Sequence, residues 1–263
     1  MRFSDIHKTA ALLCLVMTGA PCFAAPKFSA PKAPAPKIAK PKPKWNEKTL
    51  DNAFAAAEKS DFTLLGRWLR AHPIKERDER GFSLLHFAAT TRPQVVSWLL
   101  ARGAEISAKD KDGQTPIFLA AMTDNAPVIA LLAARAASLE TLDKGGNTVL
   151  QMAAISGSPR AVTELLKRGA RVDARGSDGQ TALILAALLG RAHVVQILLK
   201  NGADARLKNR HDLTALDLAT TMAFICVTGD KATQQQKLDQ ENYAKTIALL
   251  KAATQDATKS TPE

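Results

Sequence analysis

The side chains in this chain that could do chemistry are few and scattered. His72, His86, His193 and His211 fall far apart, and no two have the close spacing of a metal-ligand pair. No phosphate loop of the GxxxxGK[ST] type occurs, and no GxGxxG follows a strand pattern. No G-x-S-x-G turn presents a nucleophile. His86 could serve as a base in principle. Cys226 follows Phe224 and Ile225 in an apolar run, which favours a buried thiol over a reactive one. Because export allows oxidation, an intermolecular disulfide is the alternative reading. The expectation is therefore a chain with no catalytic residue, no metal site and no cofactor, whose chemistry is recognition.

The elements that would carry recognition begin after two unfolded-type segments. Arg2, His7 and Lys8 precede a short apolar run over 9–17, then Gly19, Pro21 and the small residues Ala24 and Ala25. That run is too short to span a bilayer, which takes roughly 20 apolar residues. It predicts a signal peptide over 1–24, cut after Ala24, because a cut after Ala25 would set Pro26 against the scissile bond. A lipoprotein cut at Cys22 is disfavoured by Pro21, and an uncleaved anchor is the remaining alternative. With cleavage, Cys14 and Cys22 are lost, Cys226 stays without an internal partner, and no transmembrane helix remains.

Residues 25–44 hold prolines at 26, 31, 34, 36, 41 and 43, which block helix and sheet pairing. The segment is expected to be an extended linker at roughly 3 Å per residue. It also carries six lysines and no acid, which gives it a second possible role of attachment to an anionic envelope polymer. Much of the net charge of +11 therefore sits in the linker. The rest is only mildly basic, which argues against nucleic acid as a partner.

Beyond residue 45 one period dominates. Ser83, Thr115, Thr148, Thr181 and Thr214 are spaced 32, 33, 33 and 33. Ala-Ala pairs follow at 88/89, 120/121, 153/154 and 186/187. Leu99, Leu132, Leu165 and Leu198 keep the same interval, as do turn glycines at 81, 113, 146 and 179. Self-similarity at this interval marks stacked helical units. The stretch from Thr181 to Leu189 predicts a short first helix, and His193 to Lys200 a second. Ser158 ahead of Pro159 predicts a capping hydroxyl, and Asn125 with Pro127 a looser version.

These residues resemble the ankyrin-repeat family, whose unit runs Gly-x-Thr-Pro-Leu-His-x-Ala-Ala, then a helix ending Leu-Leu-x-x-Gly-Ala. The chain reads GFSLLHFAA at Gly81–Ala89, GQTPIFLAA at Gly113–Ala121 and GQTALILAA at Gly179–Ala187. WLLARGA, ELLKRGA and ILLKNGA end at Ala104, Ala170 and Ala203. The resemblance implies an all-α solenoid of about six helix-turn-helix repeats over 45–251, followed by a disordered tail over 252–263. Departures are local. Ala136 stands in a glycine slot, and Asp212 replaces a loop glycine. The last repeat's leucine pair, Leu249-Leu250, comes late by an insertion near Thr228 to Glu241. The first repeat, Leu50 to His72, is degenerate.

The resemblance also implies that His86 bonds backbone in the neighbouring turn, and that another protein binds a concave face of turn tips and first helices. Mapped by motif, the tips supply Arg80, Phe82, Lys111, Gln114, Lys144, Asn147, Arg175 and Gln180. The slots after Ala-Ala supply Met122, Ile155, Leu188 and Leu189. Met122, Ile155 and Leu188 are expected to form an apolar stripe beneath basic tips. The short signal and Pro-Lys-Ala linker suit an exported bacterial protein, periplasmic or secreted. The leading expectation is an exported scaffold for a protein partner. The alternative is a cell-envelope organiser anchored by residues 25–44.

Overall fold

The computed structural model describes residue 53, residues 56–227 and residues 234–259. The expected signal peptide and linker, the connection over 228–233 and the side chain of Cys226 lie outside the described residues.

Helices follow one another in antiparallel pairs. Residues 56–58 are helical and lead into α1 (Phe62–Ala71). Four pairs follow: α2 (Leu84–Ala89) with α3 (Pro93–Leu100), α4 (Pro116–Met122) with α5 (Ala126–Ala134), α6 (Val149–Ser156) with α7 (Pro159–Lys167), and α8 (Ala182–Leu188) with α9 (Ala192–Lys200). The last pair is α10 (Ala215–Val227) and α11 (Gln234–Lys259). Among the described residues there is no strand, only isolated bridges between Arg77 and Ser83 and between Leu142 and Thr148. The first helices stack as α2, α4, α6, α8 and α10, and the second helices as α3, α5, α7, α9 and α11.

Helices of six to nine residues are too short to hold in water alone. They hold here by burying one another. Ala88, Ala89, Ala120, Ala121, Ala153, Ala154, Ala186 and Ala187 are fully buried, and their lack of bulk lets adjacent first helices approach. Leu99, Leu132, Leu165 and Leu198 are fully buried in the second layer, so one apolar core runs from Ala53 to Leu250. Each unit contacts only its neighbours, which makes the core a chain of nearest-neighbour interfaces.

Local chemistry sets each helix start. Ser83, Thr148 and Thr214 accept the amide of the third helical residue, and the side chains of His86, Gln151 and Asp217 return a bond to the cap amide. Ser158 and Asn125 depart from expectation. Neither side chain caps its own helix. Ser158 donates to the Met122 carbonyl at 3.4 Å, and Asn125 donates to Ala89 and Thr91 at 3.2 and 2.8 Å. Asp124 takes over the capping of α7 from the preceding repeat, accepting the Ala161 amide at 2.7 Å. These side chains are spent on coupling repeats because the stacked neighbour offers buried backbone groups that would otherwise lack partners.

The C-terminal boundary is corrected. The tail expected to be disordered from 252 is helical through Lys259, as α11 continues over Lys251, Ala252 and Ala253, residues of high helix propensity. Leu250 is the buried leucine of the late pair, and Leu249 is only half-buried. The inserted length is taken up as helix at both ends, since α10 has 13 residues and α11 has 26.

Candidate functional site

The turn tips are built by a row of acceptors that sequence reasoning missed. Oδ1 of Asp78 accepts the amides of Arg80 and Phe82 at 2.9 and 2.7 Å. Oδ1 of Asp110 accepts those of Asp112 and Gln114 at 2.9 and 2.8 Å, and Asp143 accepts that of Asn147 at 2.8 Å. Asn209 does the same for His211 and Leu213. The signal was there to read, because these positions keep the 32–33-residue interval. Gly176 takes the place between Asp143 and Asn209, and the Gln151 amide fills the volume that a side chain at 176 would need. Tip joins tip through backbone bonds: Lys111 to Arg80, Lys144 to Asp112, Ser177 to Gly146 and Arg210 to Asp178, all at 2.8–2.9 Å. Approach is so close at Gly113 that a Cβ would lie 3.1 Å from the Lys144 nitrogen.

On this frame the expected tip residues divide by role. Arg80, Lys111 and Lys144 are exposed, and Phe82, Gln114, Asn147 and Gln180 are half-buried. Arg80 pairs with Asp78 at 3.4 Å and lies 4.8 Å over the Phe82 ring. Arg175 is a brace as well as a surface residue. Its Nη1 donates to the carbonyls of Gly179 and Lys208 at 3.2 and 2.8 Å. Arg77 makes the matching bridge to Gly81 and Lys109. Each tip also holds carboxylates beside its cations, so the tips are mixed in charge.

The expected apolar stripe is not uniform. Met122, Ile155 and Leu189 are half-buried and reach the surface. Leu188 does not: it is 6 % exposed, a core residue. The physical reason is the lengthened last repeat. Tyr243 of α11 lies over the end of α8, donates its hydroxyl to the Leu188 carbonyl at 2.8 Å and packs its ring against Gly190.

His86 has the bridging role expected of its slot. Nδ1 accepts the Ser83 amide at 3.1 Å, and Nε2 faces the Gln114 carbonyl of the next tip at 3.0 Å. That pattern fits the neutral ring protonated at Nε2. Burial holds its pKa below the usual histidine value, so the neutral form is favoured. Gln151, in the same slot two repeats later, repeats the arrangement. Its Oε1 accepts the Thr148 amide at 2.8 Å, and its Nε2 donates to the Gln180 carbonyl at 2.6 Å. An amide that does the same work as the imidazole marks this slot as structural. Among the described residues, no group of three or more His, Cys, Asp or Glu side chains is placed to hold a metal, and no helix is long and apolar enough to cross a membrane.

Two family models match the chain: ankyrin repeats in three copies over residues 85–176, and ankyrin repeats in many copies over residues 165–219. The chain belongs to the ankyrin-repeat family. It is also 40 % identical over 53 residues to an ankyrin repeat protein of Acanthamoeba polyphaga mimivirus. That stretch covers 20 % of this chain and 7 % of the relative, so the chain spans only a small part of the relative's length.

The first helices carry half-buried apolar residues as well. One slot per repeat places Phe87, Met152 and Leu185 there, half-buried, while Leu119 at the same slot is buried. Met122, Ile155 and Leu189 are half-buried in the same first-helix layer. At the tips, Leu142 occupies the slot held by Arg77, Lys109, Arg175 and Lys208, and it is 46 % exposed. At this one slot the row is apolar in the middle and cationic on either side. Ankyrin repeats are protein-interaction modules.

Proposed function

We propose that this chain is an exported scaffold that holds a protein partner on the face formed by its turn tips and first helices, in the periplasm if the source is a Gram-negative bacterium. The observation that carries the reading is the set of half-buried apolar residues in the first-helix layer, Phe87, Met152 and Leu185 with Met122, Ile155 and Leu189. Leu142 extends it to the tips, and Arg80, Lys111 and Lys144 border it. Export rests on the apolar run over 9–17 with small residues at 24 and 25.

The test is crosslinking capture from the native envelope with the wild-type chain and with Met152→Asp plus Ile155→Asp. Both positions are half-buried, so capture is compared only with a variant whose circular dichroism matches the wild type. Recovery of one stoichiometric protein by the wild type, lost in the folded variant, supports the reading. Equal recovery by both removes the first-helix strip from binding. An alkaline phosphatase fusion at residue 45, active only outside the cytoplasm, tests export.

A second reading rests on residues 25–44, where six lysines meet no acid. An envelope organiser would use this segment to hold anionic polymer. Retention of the full chain on an anionic matrix, lost without 25–44 and falling with salt, is its expected signature.

A further inference from the structure

The turn tips sort their charges by slot. Each tip opens on an exposed residue, Arg77, Lys109, Leu142, Arg175 and Lys208 in turn. The next slot holds Asp78, Asp110 and Asp143, whose Oδ1 atoms accept backbone amides of their own tips. Asp110 is only 8 % exposed. These carboxylates are engaged inside the turns, while the cations beside them stay at the surface. Among the described residues, Lys109, Lys111, Lys144 and Lys208 form no ion pair. The arginines are already answered, Arg77 by Glu105, Arg80 by Asp78 and Arg210 by Asp178. Exposed acids remain at Glu79, Asp112 and Asp212 on the other tips. The tip of Leu142 has none, since Lys144 and Gly145 follow Asp143. Its backbone is fixed by the bridge from Leu142 to Thr148 and by the Lys144 amide bond to Asp112. An exposed leucine is thus held on a rigid turn, with Lys109 and Arg175 in the same slot of the neighbouring tips.

We propose that the tip row binds an extended acidic segment of the partner, which sets one large apolar side chain on Leu142 and carboxylates against the lysines around it. This site lies within the face already assigned to the partner and rests on that reading. Charge selects the occupant. Lysines without an internal pair can meet a partner's carboxylates and give up no bond within the chain. A run of acids is also kept extended by its own repulsion, which suits a row of tips. Spacing then sets the ligand pattern. Stacked helices lie roughly 8–10 Å apart, and an extended chain advances about 3.3 Å per residue. One step along the row therefore matches about three residues of ligand. The pattern is an Asp or Glu about three residues to either side of a Leu, Ile, Met or Phe. A uniform polyanion, such as an acidic polysaccharide, has no apolar group to place on Leu142. It would be served better by the cation that the other tips carry in that slot.

Random peptides displayed on phage and panned on the purified chain test the proposal. Enriched sequences should carry acids on both sides of one large apolar residue. In fluorescence anisotropy, replacing that apolar residue by Ser should weaken binding to the wild type about tenfold or more, and added salt should weaken it further. Leu142→Lys should cost about as much and leave the chain indifferent to the Ser replacement, the coupling expected of two groups in contact. Lys109→Glu with Lys144→Glu should abolish binding while the circular dichroism of the wild type is kept. The Ser peptide decides the matter if a chain variant fails to fold. No enrichment, enriched peptides without acids, or a Ser peptide that binds the wild type equally well would each overturn the proposal. So would polyglutamate or heparin that competes as well as the enriched peptide, since the row would then be a general polyanion surface. Capture of an envelope protein that is lost with Met152→Asp plus Ile155→Asp but unmoved by the tip changes would leave the scaffold reading standing and remove this one. Tip-dependent peptide binding by a chain that captures no envelope protein would do the reverse.

Discussion

At Ala136 a single methyl group works against its own backbone. The residue has φ +61°, in the slot where Gly103, Gly169 and Gly202 have φ between +84° and +89°. The surrounding bonds are those of the sister repeats, since Ala137 donates to Leu132 as Ala170 does to Leu165. The turn has thus kept its left-handed geometry and carries a side chain there at a cost of roughly 1 kcal/mol. Ala136→Gly should raise stability by about 0.5–1 kcal/mol in urea titration. Unchanged or lower stability would mean the strain is relieved elsewhere. His86 offers a second test at this scale. Its folded pKa is lowered by burial, so above about pH 6.5 both folded and unfolded rings are neutral and the full stability is present. As pH falls below that value the unfolded chain takes up a proton first, and stability is lost until the folded ring titrates too. His86→Gln should remove this loss while keeping both bridging bonds, as Gln151 already does. The check is urea titration of both proteins from pH 7.5 to pH 5, and an equal slope in the two would assign the dependence to other groups.

The decisive element is the α10–α11 hairpin. Sister first helices end at the slot of Leu188, but α10 runs on to Val227 and α11 returns from Gln234, long enough to lay Tyr243 over the end of α8. The Tyr243 to Leu188 bond spans 55 residues, beyond the one-repeat interval of the other coupling contacts. Tyr243→Phe should cost about 1 kcal/mol in thermal or urea unfolding, the usual worth of one buried hydrogen bond. Leu188→Asp should cost several kcal/mol and shift the melting of the C-terminal repeats, because it sets an unpaired carboxylate beneath α11. A Leu188→Asp protein as stable as wild type would show that α11 lifts freely from this position. The same lever explains why a leucine at a surface slot of the repeat pattern became core: its cover comes from outside the period.

Across the whole molecule, stability is a sum of neighbouring interfaces, so it should be unequal along the chain. Hydrogen exchange is expected to be slowest in α4, α6 and α8, at the middle of the array, and faster toward its ends, in α1 and α10. Uniform exchange would indicate that the array opens as one unit. The sequence alone determined the architecture, because every ankyrin interface repeats the same contacts at one interval, and a periodic contact leaves a periodic residue. The alanine pairs, the leucine row and the left-handed turns at Ala136 and Asp212 were legible on that ground, and the bridging role of His86 was implied by the family resemblance. The aspartates at 78, 110 and 143 were equally periodic and went unread, since their chemistry is local and turned inward. Tertiary structure alone decided what happens where the interval breaks. The covering of Leu188 and the spending of Ser158 and Asn125 on neighbouring repeats depend on which groups stacking brings together. No residue pattern within one repeat encodes a neighbour that reaches it from 55 residues away.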